Sequence, residues 1–209
     1  MRYSFIIVLC VGLLSSCGNK TSNEKSVDWG ETQEHYLNSK GVSIKLPGSF
    51  VASSRYRIKQ DLPALNNKSA AASIIEDALA DYERKDPNIN VFVDTSTQYR
   101  FLTILNSDDK IALDKSSAAR LGKVLMEDYE KMDLSKRGVE VNRIESNIKN
   151  NNYQKLAKFK FEIKDKLKKK SSYVTSFFVT NNSRTLILHE FSDSKEDLEF
   201  FTWSISEKY

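Results

Sequence analysis

Short segments of the chain alternate apolar and polar residues, which is typical of strands with one buried side. The first of these segments places Val42, Ile44 and Leu46 on one face and ends at Pro47. The clearest one runs over 155–164, where residues at odd positions from 157 are apolar and those at even positions from 158 are charged. The pattern therefore predicts strands with one apolar and one polar face.

Further strands follow, and some of them are apolar on both faces. The last four are separated by Asn-rich turns at 150–152 and 181–183 and by a basic loop at 166–170, so they are predicted to form an antiparallel meander. The additional strands are predicted over 56–59, 90–94, 99–105, 139–148, 173–180 and 185–191.

Three segments instead repeat apolar residues at helical spacing. Ser116 or Ser117 is predicted to cap the second helix and Asp193 or Ser194 the third. Strands that are apolar on both faces need cover on both sides, and amphipathic helices supply it. The sequence therefore predicts the α+β class, with an antiparallel sheet covered by helices. The predicted helices span 69–85, 116–137 and 194–205.

The N-terminus has the pattern of an exported protein. A single basic residue, Arg2, precedes an apolar run over 4–14 that is shorter than the ~20 residues a membrane-spanning helix needs. The run ends in Leu14, Ser15, Ser16 and Cys17. These four residues resemble the lipobox of bacterial lipoproteins, in which an aliphatic residue and two small residues precede a cysteine.

The lipobox resemblance implies that 1–16 is a signal peptide and that Cys17 becomes the lipidated N-terminus. Two or more acyl chains anchor a protein stably to a membrane. The residue after Cys17 is Gly18 rather than Asp, so we expect an outer-membrane anchor facing the periplasm. The alternative is an ordinary secretory signal in which Cys17 is incidental.

The segment 17–39 is rich in small polar residues and is predicted to be a flexible tether. We expect Trp29 and Tyr36 to dock on the domain edge and His35 to be solvated. The remainder, 40–209, is predicted to be a single globular domain.

Composition narrows the possible functions. The 32 Lys and Arg against 28 Asp and Glu give a net charge of only +4, dispersed along the chain, which argues against nucleic-acid binding. Cys10 lies in the predicted signal and Cys17 would be lipidated, so no free thiol remains. The two histidines, His35 and His189, lack zinc-ligand spacing. We expect neither a cofactor nor a metal.

No residue set in the sequence carries an enzymatic reaction, and we expect no catalytic residues. The Gly-x-Ser-x-Gly elbow of serine hydrolases is absent. His189, on the face of Ile187 and Phe191, is predicted to be a core or edge histidine with one hydrogen bond. A hydrolase using only carboxylates needs two acids in a cleft, and no acid stands on an apolar face.

Two surface features remain as candidate binding sites. The basic loop is predicted to be a solvated hairpin tip, with contact to an anionic surface as the alternative. Phe200 and Trp203 widen the apolar face of the third helix and become a partner patch if no other layer covers them. The candidate anionic-contact residues are Lys164, Lys166, Lys168, Lys169 and Lys170.

The order of elements resembles the PsbP-like family. The resemblance rests on the opening Gly-x-Ser-Ile-x-Leu-Pro at 41–47 and on the ending Ser-Lys-Glu-Asp-Leu-Glu-Phe-Phe at 194–201. It implies an α/β/α sandwich over about 40–209, of the kind found in envelope lipoproteins of the DcrB type. The family implies a binding or assembly module and offers no catalytic residue to carry over.

We therefore expect a non-enzymatic envelope lipoprotein that binds or assembles an envelope protein complex. The alternative is a carrier or sensor of a small apolar ligand held between sheet and helices.

Overall fold

A computed structural model describes the structure over 28–38, 41–54, 56–58, 60, 74–75, 89–97, 100–107, 110–132, 134–181 and 184–207. The signal peptide, Cys17 and the rest of the lipobox lie outside these residues. The strands in the described part are β1 (Thr32–Tyr36), β2 (Val42–Pro47), β3 (Phe50–Ser53), β4 (Asn90–Asp94), β5 (Phe101–Ser107), β6 (Val139–Asn150), β7 (Lys155–Asp165), β8 (Lys170–Thr180), β9 (Thr185–Ser192) and β10 (Ser206–Glu207). The helices are α1 (Lys115–Lys131), a 3-10 turn (Leu134–Arg137) and α2 (Glu199–Thr202).

The main sheet has seven strands in the order β3-β4-β5-β9-β8-β7-β6, and every neighbouring pair is antiparallel. Strands β6 to β9 are consecutive in the chain and adjacent in space, with pairings such as Lys160 to Thr175 and Ser176 to His189. The predicted antiparallel meander is confirmed.

A second, three-stranded sheet has the order β1-β2-β10. Its first strand, β1, pairs with β2 over five positions, although the sequence predicted a flexible tether as far as residue 39. That prediction is wrong for β1, because its residues are mostly exposed and polar and are ordered by backbone pairing rather than by apolar burial. Trp29 is docked as predicted, with its ring 5.6 Å from that of Phe201. Tyr36, for which docking was predicted as well, is instead 66% exposed, because it lies on the outer side of β1.

The main sheet separates two hydrophobic cores. Phe159, Phe161 and Ile163 lie in the core that contains residues of α1, whereas Phe177 and Leu188 lie in the core that contains β2 and the C-terminal residues. Both faces of the sheet are therefore covered, and the α+β class is confirmed. The second outer layer consists of the small sheet and a single helical turn rather than a long helix.

The N-cap of helix α1 lies two or three residues earlier than the sequence predicted. Its N-cap is Asp114, whose carboxylate accepts a hydrogen bond from the backbone N–H of Ser117 at 2.7 Å. The hydroxyl of Ser117 accepts in return from the backbone N–H of Asp114 at 2.8 Å, which completes a capping box. The predicted cap at Ser116 or Ser117 is corrected, because the carboxylate satisfies the free N–H groups of the first turn.

The segment predicted as a strand over 56–59 is helical at Tyr56, Arg57 and Ile58. The Ser54 hydroxyl accepts from the Arg57 N–H at 3.2 Å and the Ser54 carbonyl from the Ile58 N–H at 3.2 Å, the pattern of a helix start. Of the helix predicted over 69–85, only two residues, Ile74 and Ile75, are described. Both are helical and buried, as predicted.

The long C-terminal helix is replaced by the four-residue helix α2 and strand β10. Asp197 is paired with Lys160 of β7, and the backbone N–H of Leu198 donates to Glu190 of β9. The Asp197 carboxylate and the Leu198 backbone N–H, which lie within the predicted helix, are therefore bound to side chains of the main sheet. After α2 the chain returns to pair with β2.

We expect Gly122→Ala to lower the free energy of unfolding by about 1 kcal/mol. A Cβ at Gly122 of α1 would lie 2.9 Å from Cε1 of the buried Phe159 ring. Overpacking a core costs roughly 1–3 kcal/mol, which exceeds the roughly 1 kcal/mol that Ala adds as a better helix former. Urea unfolding measures the change, and a more stable variant would contradict the close packing of α1 on β7.

Candidate functional site

The candidate site is an exposed aromatic patch on the C-terminal turn, which the sequence proposed at Phe200 and Trp203. The Phe200 side chain is 76% exposed and Trp203 is partly exposed, whereas Phe201 between them is buried. The Phe200 and Phe201 rings meet edge to face at 5.3 Å. No described layer covers Phe200, which fits the condition under which the sequence predicted a partner patch.

The turn that carries the patch is fixed to β7 by buried ion pairs. Lys158 Nζ lies 2.8 Å from Asp197 Oδ2, 3.1 Å from Glu199 Oε2 and 3.0 Å from Glu145 Oε1. Lys160 Nζ lies 2.9 Å from the same Asp197 oxygen. Five side chains, Glu145, Lys158, Lys160, Asp197 and Glu199, thus form what we call the lysine cluster.

Two members of the lysine cluster, Lys158 and Asp197, have pKa values shifted toward their ionised forms. Burial alone would lower the pKa of Lys158, but the hydrogen bond and charge of Asp197, joined by Glu145 and Glu199, raise it above its ordinary value. Burial likewise opposes ionisation of Asp197, yet its hydrogen bonds to Lys158 and Lys160 lower its pKa. Each partner stabilises the charge of the other, so the turn and the strand are electrostatically linked.

A second buried ion pair lies on the same face of the sheet. Arg100 Nε is 3.4 Å from Glu190 Oε1, and the two side chains are 6% and 1% exposed. Arg100 also donates to Ser192 Oγ at 3.1 Å, and its guanidinium lies 4.8 Å from the centroid of the Trp29 ring. The pair therefore links the main sheet to the point where the described chain begins.

Burial raises the pKa of Glu190 to about 7, and the charge of Arg100 limits the rise. Its Oε2 accepts from the backbone N–H of Leu198 at 2.9 Å. The sequence predicted no acid on an apolar face, and Glu190 corrects this, because it shares its face of β9 with Leu186 and Leu188.

The sequence analysis also missed the lysine cluster. The charged positions of β7 gave the pattern of a polar face, yet Lys158 and Lys160 are buried beneath the C-terminal segment. The available signal was charge complementarity, since the acidic stretch 196–199 follows the meander and can cover a basic strand face.

The predicted basic loop is a hairpin tip between β7 and β8, at the opposite end of β7 from Tyr153. Three of its five proposed lysines pair with carboxylates: Lys164 with Glu162 at 3.2 Å, Lys166 with Glu140 at 3.0 Å and Lys168 with Asp165 at 3.6 Å. Lys169, with φ 53°, and Lys170 are exposed. These pairs weaken the positive potential that the sequence indicated.

The two histidines occupy different environments. His189 is buried and its Nδ1 lies 2.9 Å from Ser176 Oγ, so the predicted hydrogen-bonded core histidine is confirmed. His35 is not solvated as predicted. Its ring lies 5.0 Å from that of Phe92, and burial lowers its pKa. Pairing of β1 with β2 brings His35 onto the domain.

Two further clefts are present. One of about 370 Å³ lies between α1 and the start of β6 and is lined by Met126, Tyr129, Leu134, Val141 and Lys166, among others. The other, of about 300 Å³, lies beside the aromatic patch and is lined in part by Trp203 and Tyr153.

In the described part of the chain, no three or more His, Cys, Asp and Glu side chains are grouped so as to hold a metal ion. Over the same residues, no helix combines the length and the apolarity needed to cross a membrane.

We expect Glu190→Gln to remove a pH-dependent loss of stability. The folded-state pKa of Glu190, about 7, lies above the unfolded value of 4.5. The contribution of Glu190 to the free energy of unfolding is therefore complete at pH values below the unfolded pKa, and it is lost as the pH rises through the folded pKa. Between about pH 5 and about pH 8 the parent should lose about 2–3 kcal/mol relative to the variant.

Urea unfolding of both proteins at the two pH values measures this difference. Groups other than Glu190, such as His35, titrate in parent and variant alike and cancel in the comparison. Parallel pH profiles would contradict the buried, protonatable state of Glu190.

Comparison with known proteins identifies the fold. No known family profile and no curated protein matches the sequence. Among solved structures, the solution structure of cyanobacterial PsbP (CyanoP) from Synechocystis sp. PCC 6803 is similar over 85% of this chain and 92% of that one, with a TM-score of 0.51 and 12% identity. The Ran-binding protein Mog1p of Saccharomyces cerevisiae gives a TM-score of 0.39 at 11% identity, over 78% of this chain and 77% of its own. The likeness to CyanoP shows that this chain has the PsbP-like fold that its sequence resembles.

Proposed function

We propose that the protein is a non-enzymatic envelope lipoprotein that binds another envelope protein through the aromatic patch at Phe200 and Trp203. The observation that carries this proposal is the 76% exposure of Phe200 on a turn held by buried ion pairs. An aromatic ring presented on a rigid turn loses little conformational entropy on binding, which is typical of interface anchors.

The proposed location rests on the lipobox residues Leu14, Ser15, Ser16 and Cys17. Cys17 would carry the lipid anchor, with the protein in the outer membrane and facing the periplasm. Fully extended, 17–27 would reach at most about 40 Å. Trp29 packs on Phe201, so the anchored end of the chain would enter the domain next to the aromatic patch.

The basic loop supplies a further proposed contact, with an anionic membrane surface or an acidic partner. All five of its proposed lysines are exposed, and Lys164, Lys166 and Lys168 share their charge with neighbouring carboxylates. Strand β7 separates the loop from the aromatic patch by roughly 30 Å, so the two surfaces can act independently.

Crosslinking in intact cells, followed by affinity capture and mass spectrometry, tests the partner proposal. We expect one envelope protein to be captured at near-stoichiometric yield from the parent, and the yield to fall at least ~10-fold for Phe200→Ala, because an interface aromatic anchor contributes ~2 kcal/mol or more. The Cys17→Ala variant, which cannot be lipidated, should lose the membrane fraction and the partner together.

Tyr56→Ala is the matched control, since Tyr56 is 72% exposed and lies on a different part of the domain. It should leave the captured partner unchanged. Equal capture by the parent and Phe200→Ala would exclude the aromatic patch as the interface.

The cleft between α1 and β6 supports a second function, the binding of a small apolar ligand. Its volume of about 370 Å³ lies within the range of small-molecule sites, and Met126, Leu134 and Val141 give it apolar walls. Lys166 at its edge is paired with Glu140 at 3.0 Å, and both side chains belong to the lining. The cleft therefore suits an apolar ligand without a charged head group.

Binding of an uncharged, apolar fluorescent probe tests the second function. We expect saturable binding to the parent and a loss of at least ~10-fold in affinity for Met126→Trp, whose larger side chain fills the cleft. Val124→Trp, at a half-exposed position of α1 that is not among the residues lining the cleft, serves as the matched control and should bind like the parent. Unchanged binding by Met126→Trp would place the ligand elsewhere.

A further inference from the structure

The cleft beside the aromatic patch combines two aromatic walls with unused hydrogen-bonding groups. Tyr153, which is 76% exposed, and Trp203 line it from different parts of the chain, the turn after β6 and the end of α2. The aromatic pair offers ring faces, and the polar residues that complete the lining are Asn151, Gln154, Asn181, Ser206 and Glu207. We call this the Tyr153–Trp203 cleft.

Gln154 lies at the base of the cleft with only 8% of its surface exposed. Its Nε2 donates to the carbonyl of Ile205 at 2.6 Å, and this bond fixes the orientation of the amide, because a carbonyl requires a donor. The other amide atom, Oε1, is therefore an acceptor. It is buried without a hydrogen-bond partner among the described residues.

The rim offers donors as well. In the part of the chain that the structure describes, no hydrogen bond uses the Tyr153 hydroxyl, the Trp203 indole N–H or the Asn151 side-chain NH2 group. Asn151 instead uses its Oδ1 to accept from the backbone N–H groups of Tyr153 and Gln154, at 2.8 and 2.7 Å. These bonds hold the turn that carries Tyr153.

The charge in the cleft is balanced. Among the described residues, Glu207 is the only acidic or basic side chain in the lining, and its Oε1 lies 3.1 Å from Arg184 Nε and accepts from Asn181 Nδ2 at 2.9 Å. A charged ligand would therefore meet no unpaired counter-ion. The cleft suits a neutral molecule.

We infer that the Tyr153–Trp203 cleft binds a neutral saccharide. A sugar hydroxyl both donates and accepts, so one ring can accept from the donors of the rim while its C–H face packs on Tyr153 or Trp203. A proline-rich peptide would also pack on the aromatic rings, and the experiment below distinguishes it from a sugar. The volume of about 300 Å³ fits one or two sugar rings at the lower end of small-molecule sites.

Fluorescence of Trp203 tests the inference in the full chain. The protein has two tryptophans, Trp29 and Trp203, so a Trp29→Phe background leaves Trp203 as the sole reporter. We expect saturable fluorescence changes with maltose or with the disaccharide of N-acetylglucosamine, and a dissociation constant of ~1 mM. The absence of saturation with both sugars would overturn the inference.

Tyr153 variants in the same background locate the binding site. Tyr153→Ala should weaken binding about 10-fold through loss of the stacking surface, and Tyr153→Phe, which loses only the hydroxyl, should weaken it less. Equal affinity in parent and Tyr153→Ala would overturn the inference, as would quenching of Trp203 by a proline-rich peptide but by neither sugar.

Phe200→Ala separates this inference from the partner-binding proposal. Phe200 is not among the residues that line the cleft, so its replacement should leave sugar affinity unchanged while it reduces partner capture. Near-ultraviolet circular dichroism of each variant identifies misfolding before its affinity is interpreted.

Discussion

The attachment of the C-terminal segment to the buried lysines of β7 is the constraint on which this structure depends. Lys158 and Lys160 are buried on the sheet face that also carries Leu156 and Phe177. Their charges are acceptable there because Asp197 and Glu199 of the C-terminal segment lie against them, together with Glu145 of β6. Loss of one partner from such a pair costs about 3–5 kcal/mol, because the remaining charge stays buried. The C-terminal segment is therefore held on the sheet by these ion pairs as well as by the burial of Leu198, Phe201 and Ile205.

This attachment determines what the surface presents. Because the inner side of the turn packs on the sheet, Phe201 is buried in the core and Phe200 remains exposed. The same segment brings Trp203 to the β6–β7 turn, where Gln154 of that turn is bonded to Ile205. The aromatic patch and the Tyr153–Trp203 cleft thus share the C-terminal segment, and the sheet beneath holds both in place.

The sequence predicted the fold better than it predicted the site. Alternation located β2, β4 and the meander β6 to β9, because strand periodicity is a local signal that burial reinforces. Alternation did not predict β1, which is ordered by pairing with β2. Helical spacing wrongly predicted a long C-terminal helix, because Asp197 within that segment forms a long-range ion pair with the main sheet instead. Buried charges such as Lys158 and Glu190 look like solvated residues in a sequence, since only the fold shows which carboxylate or guanidinium lies opposite.

The first described residues and the C-terminal segment meet at one buried pair. Arg100 contacts Glu190 and Ser192 of β9, donates to the Glu196 carbonyl of the C-terminal segment at 3.0 Å, and lies against Trp29 at the start of the described chain. Trp29 in turn packs on Phe201. A force or a ligand that displaced Trp29 would expose both the Arg100–Glu190 pair and the support of the aromatic patch. The segment leading to the proposed anchor is therefore physically coupled to the proposed binding surface, through contacts that need no change in the sheet itself.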